Sequence, residues 1–141
     1  MAPVRAYPNC FGCGQDNPAG LALKFEHQGD RIRSTFLPEV KHEGWPGIVH
    51  GGIIAALLYE IMENLPFHQE IVTMMRGMDV RLRAPATIEH ELLVESWLEN
   101  RSGREITVKG HLTAPDGTRP AEGTASLVAL SQEQIERLGI S

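Results

Sequence analysis

The chain has 141 residues, 18 acidic against 13 basic, and a net charge of −5, so it has the size of one domain and lacks the basic footprint of a nucleic-acid binder. No apolar signal core opens the sequence, and no run reaches membrane-spanning length because Glu60 and Glu63 interrupt the most apolar stretch. A single cytoplasmic domain over 1–141 is therefore expected, with neither nucleic acid nor membrane as a partner.

In chain order, Cys10-Phe11-Gly12-Cys13-Gly14 comes first. Its two cysteines exclude a disulfide framework. They also supply only half of the ligands a structural zinc needs, so no metal is assigned and the segment reads as a glycine-rich turn with its thiols facing inward. Residues 21–27 and 31–36 alternate apolar and polar around Gly29-Asp30, which predicts a β-hairpin. A loop rich in proline and glycine follows over 37–49. The stretch 51–65 is apolar almost all round, as in a helix buried on most sides, and Pro66 is expected to stop it. Period-two patterning predicts strands at 72–83, 90–100, 104–114 and 120–130, arranged as a meander with a hairpin turn at Asp116-Gly117. Small residues Ala121, Gly123 and Ala125 on one face of the last strand permit close approach of another element. Ser131 caps a short terminal helix. The sum is an α+β chain in which an antiparallel sheet wraps one long central helix, the hotdog architecture.

The chemistry concentrates at Gly47-Ile48-Val49-His50-Gly51-Gly52, where two glycines open the long helix. Free amide donors at a helix N-terminus suit a carboxylate, a phosphate or a developing oxyanion, and the absence of Cβ atoms lets a ligand come close. The same glycines equally suit tight packing of the helix on a strand.

Three ordered segments resemble the hotdog-fold acyl-CoA thioesterases of the phenylacetate-pathway type. They are Cys10-Phe11-Gly12-Cys13-Gly14 with Asn17-Pro18-Ala19-Gly20-Leu21, then 42–52 from His42-Glu43-Gly44-Trp45 to His50-Gly51-Gly52, then Asp79-Val80-Arg81-Leu82-Arg83-Ala84-Pro85. The resemblance implies a homodimer, often paired into a homotetramer, with sites at the subunit interface; no cofactor is expected. It implies that Gly51 donates to the thioester carbonyl with Gly52 beside it, that His50 shapes the pocket, and that a helix carboxylate activates water.

The chain departs from that pattern at the carboxylate. The family's acid falls nine residues after the histidine, where this sequence has Tyr59. Glu60 is its neighbour in sequence, about 100° around the helix, whereas Glu63 lies four residues on and on nearly the same face as Tyr59. Both are candidate bases, with Glu60 favoured slightly. Tyr59 either donates to the carbonyl or fills the vacated space; a phenol of ordinary pKa is a poor base at neutral pH. Met75 stands where the family often has Thr or Ser, with Thr73 two residues away on the same side. His42 and Trp45 line the substrate entrance or anchor the loop. Arg76, Arg81 and Arg83 meet coenzyme A phosphates or form a solvated sheet face, and Met62, Met74, Met75 and Met78 line an acyl pocket or fill core.

The expected function is hydrolysis of an acyl- or aryl-CoA thioester. The alternatives are a hotdog protein that binds acyl thioesters without turnover and, third, a hotdog dehydratase.

Overall fold

The computed structural model describes residues 7–140. Most of the N-terminal segment in which no signal core was read, and Ser141, lie outside them.

Helix α1 runs Gly51–His68 and forms the axis of the fold. Ile54, Leu57, Leu58, Ile61, Met62 and Leu65 are buried, a run of three- and four-residue steps that makes one continuous apolar stripe. Burying each such side chain contributes roughly 1.5–3 kcal/mol. The helix does not stop at Pro66, as the proline suggested, but continues through it to His68. Proline's fixed φ is itself helical, and this near the helix end it forfeits little of the remaining ladder. Among the described residues no helix is long and apolar enough to cross a membrane.

Six strands form one antiparallel sheet: β1 (Glu26–Gln28), β2 (Arg31–Phe36), β3 (Thr73–Leu82), β4 (Leu92–Ser102), β5 (Glu105–Thr113) and β6 (Ala121–Ala129). Their order is β1-β2-β4-β5-β6-β3, so the last four strands are not the simple meander the sequence suggested. Strand β2 pairs with β4, and β3 crosses to the far edge to pair with β6. Helix α1, which links β2 to β3, packs against strands β2 to β6. Alternation alone could not show this, because it says which face a residue takes and not which strand lies beside it.

The first hairpin strand is shorter than its patterning. Residues 21–25 leave the sheet because Leu21 N–H donates to Phe11 O and Leu23 N–H to Gly12 O, which ties them to the cysteine turn. Leu21 and Leu23 are nonetheless core residues. On β5 and β6, a Cβ at Gly110 would stand 3.0 Å from Met62 Cγ and one at Gly123 3.1 Å from Met62 Cε, so the small residues let α1 settle onto the sheet. Buried Ser96 on β4 donates to Ile61 O at 2.7 Å and adds a polar tie between helix and sheet. Short helix α2 (Gln132–Leu138) has Ser131 as its N-cap, closed by a reciprocal bond with Gln134.

Candidate active site

Most of the residues singled out from the sequence fall into two places, one at the N-terminal end of α1 and one further along it. At the N-terminal end, the loop before the helix is held by its own backbone. Gly44 N–H donates to Ile48 O, His50 N–H to His42 O, and Val49 N–H to Ala86 O. Gly47 adopts φ +80°, a conformation that favours glycine, and its N–H donates to the Glu43 carboxylate. His50 is the N-cap, and its Nδ1 accepts the Gly52 N–H at 2.8 Å. Among the described residues no group accepts from the Gly51 N–H. Gly51 also lines a pocket of about 430 Å³ together with Gly44, Trp45, Pro46, Val49 and His50.

The two glycines therefore have different reasons. A Cβ on Gly52 would lie 3.0 Å from His50 Nδ1 and would press on the capping ring. A Cβ on Gly51 would meet only Leu82 Cδ1, at an ordinary 3.5 Å, so nothing in the chain itself excludes a side chain there. Trp45 is 80% exposed at the pocket. His42 lies behind the pocket wall rather than in it: its ring is buried against Phe36, and its Nδ1 accepts the Glu39 N–H. Burial and neighbouring Lys41 lower its pKa. It reaches the site only through the carbonyl that holds His50.

Further along α1, Tyr59, Glu60 and Glu63 border a larger cavity of about 570 Å³, together with Cys10, Cys13 and Phe67. Glu60 folds over the cysteine turn. Its Oε1 accepts from Asn64 Nδ2 at 3.0 Å and stands 3.7 Å from the Cys10 thiol. A Cβ on Gly12 would lie 2.2 Å from Glu60 Cδ, so only glycine there leaves room for the carboxylate. Glu63 differs. Its Oε2 is buried with no hydrogen-bond partner among the described residues, and burial raises its pKa, against the opposing effect of the Tyr59 hydroxyl. Burial and the adjacent Glu63 push the Tyr59 phenol well above its usual range, so it stays a proton donor.

Thr73 borders this cavity, whereas Met75 packs half-buried against the core and is not in its wall. Met62 is core, and Met74 and Met78 are exposed. On the sheet, Arg76, Arg81 and Arg83 each pair with a carboxylate, of Glu105, Asp79 and Glu122 respectively. The sequence reading missed Asn64, which holds Glu60, and the contact between Glu60 and the cysteine turn. The i, i+4 spacing of Glu60 and Asn64 could have signalled the first; a separation of 50 residues hid the second.

The two places are far apart within one chain. At 1.5 Å per residue, Glu60 and Glu63 stand about 14 and 18 Å along the axis from Gly51, so one copy cannot bring either carboxylate to a carbonyl on that amide.

An antiparallel sheet wrapped on a long helix that opens on glycines is the hotdog architecture, and comparison with known proteins agrees. No family model matches the chain. The rat (Rattus norvegicus) acyl-coenzyme A thioesterase THEM4 is 25% identical over 114 residues, 80% of this chain and 49% of that protein, so the chain spans about half the length of this curated relative. A crystal structure of a thioesterase superfamily protein superposes with a TM-score of 0.80 at 25% identity, covering 88% of this chain and 63% of that one. The PaaI protein of the E. coli phenylacetic acid degradation operon superposes with a TM-score of 0.73 at 9% identity, over 79% of this chain and 81% of that one. The chain thus resembles thioesterases over most of its length and shares its fold with the PaaI protein.

Proposed function

We propose that this chain hydrolyses acyl- or aryl-CoA thioesters at a site that two copies build together. The observation that carries the reading is the pair of unsatisfied groups on one helix: the N–H of Gly51, a residue that lines a pocket, and the buried Glu63 carboxylate oxygen. In a two-fold dimer the donor end of one helix can face the carboxylate region of the other, and the separation within one chain ceases to matter. The outer side of edge strand β3 carries no partner among the described residues, and Met74, Met78 and Leu82 on that strand are exposed, which supports pairing with a second copy there.

The reaction follows from these groups. The thioester carbonyl oxygen accepts from the Gly51 N–H. Water attacks the carbonyl carbon while Glu63 takes its proton, and the oxyanion that forms is stabilised by the same amide at the positive end of the helix. Collapse breaks the C–S bond, and Glu63 returns the proton to the leaving thiolate.

Glu63 is preferred over Glu60 as base because Glu60 is already engaged by Asn64 and Cys10, whereas Glu63 has a free oxygen and a pKa moved towards neutrality. The likeness to THEM4, named as an acyl-coenzyme A thioesterase, supports the substrate class. The test is hydrolysis of a panel of acyl- and aryl-CoA esters. Glu63→Gln should lower the rate roughly 10²–10⁴-fold and Glu60→Gln much less; full activity in Glu63→Gln refutes the assignment.

A second reading, acyl-thioester binding without turnover, is favoured by Tyr59 at the position where the resemblance implies an acid. Wild type that binds acyl-CoA and releases no free thiol would establish it. Tyr59→Asp would then gain activity.

A further inference from the structure

We infer that Cys10, Cys13 and Glu60 form a divalent-metal site of the zinc class, one that ties the cysteine turn to helix α1. The sequence offers only two of its ligands; the fold supplies the third from 50 residues away. The two thiol sulfurs and a carboxylate oxygen all lie within 4.8 Å of one another. Tetrahedral zinc, with Zn–S of about 2.3 Å and Zn–O of about 2.0–2.2 Å, requires ligand atoms roughly 3.4–3.8 Å apart. The 3.7 Å between Cys10 Sγ and Glu60 Oε1 already meets this.

Three features around the cluster fit the same purpose. The Cys13 N–H lies 3.5 Å from Cys10 Sγ, an N–H···S contact that orients the sulfur. Asn64 donates both to the Glu60 backbone carbonyl and to its Oε1, fixing the carboxylate from behind. Gly12 leaves the space through which the carboxylate enters the turn.

Two thiolates and one carboxylate form a soft, anionic set that selects zinc over magnesium or calcium. Binding displaces one proton from each thiol to solvent, so affinity rises with pH. All three residues border the 570 Å³ cavity, which has room for a water as fourth ligand. The inference stands apart from the thioesterase reading, which assigns the base to Glu63, and its test reads metal rather than turnover.

The experiment titrates the full chain, stripped of metal by chelator, with Co²⁺ and then with Zn²⁺. One Co²⁺ per chain should bind with a thiolate charge-transfer band in the near ultraviolet, Zn²⁺ should displace it, and Zn²⁺ should raise the melting temperature. Cys10→Ser and Cys13→Ser should each lose most of the band. Glu60→Gln and Gly12→Ala keep both thiols and should bind roughly 10–100-fold more weakly. If Gly12→Ala fails to fold, Glu60→Gln alone decides. Absence of a charge-transfer band at micromolar Co²⁺, or wild-type affinity in Glu60→Gln, overturns the site.

Discussion

His50 and Gly52 close the mouth of helix α1 on each other: the ring Nδ1 takes the Gly52 N–H at 2.8 Å and leaves the Gly51 N–H as the free donor. The two glycines should therefore respond differently to the same substitution. His50→Ala should cost about 0.5–2 kcal/mol in urea unfolding through loss of the cap. Gly52→Ala should lose stability as well, despite its better helix propensity, because the new Cβ presses on the ring. Gly51→Val should keep a near wild-type urea midpoint and lose thioester turnover or binding. Unchanged kinetics in a folded Gly51→Val protein would remove Gly51 from the site.

The acid limb of the pH–rate profile should report Glu63. Burial raises its pKa, and a base acts only when ionised, so kcat/KM should be high above that pKa and fall as pH drops through it, higher than the ordinary glutamate value of about 4.3. The Tyr59 hydroxyl favours the ionised carboxylate. Tyr59→Phe should accordingly move the limb to higher pH, and an unmoved limb would show that the phenol does not act on Glu63.

Stability should fall in mild acid for a separate reason. His111 is buried on β5, 3.2 Å from Glu95 Oε1 and edge-on to Trp97. Burial lowers its pKa despite that carboxylate, so the unfolded chain binds the proton more readily than the folded one. The stability this neutral histidine contributes is full above the unfolded pKa of about 6.5 and is lost as pH falls below it. His42 acts in the same direction, so His111→Gln should flatten the slope of unfolding free energy against pH only in part. An identical slope in urea melts between about pH 5.5 and 7.5, roughly one unit either side of the unfolded histidine pKa, would refute the coupling.

Shared sites make a prediction that single variants cannot. Gly51→Val blocks approach to its donor and Glu63→Gln lacks the base, yet a mixed dimer of the two contains one complete pair. Unfolding and refolding an equimolar mixture should restore roughly a quarter of wild-type turnover, half of the dimers each having one of two sites intact. No recovery in a mixture that sediments as dimers would place donor and base in the same subunit.

Much of the fold was legible along the chain because its signals are local. Apolar spacing marked α1, alternation marked the strands, and the cap residue Ser131 marked the last helix, each set by contacts within a few residues. The opening of α1 on His50, Gly51 and Gly52 could be read for the same reason. Strand order could not, since a period-two pattern fixes faces and not neighbours, and the crossing of β3 to the edge beside β6 is a long-range choice. Nor could sequence divide the labour of the carboxylates. Glu60 and Glu63 differ in what reaches them through space: Asn64 and the cysteine turn satisfy one, while burial leaves an oxygen of the other without a partner. Position along the helix decided where the two acids point, and tertiary packing alone decided which of them remains free.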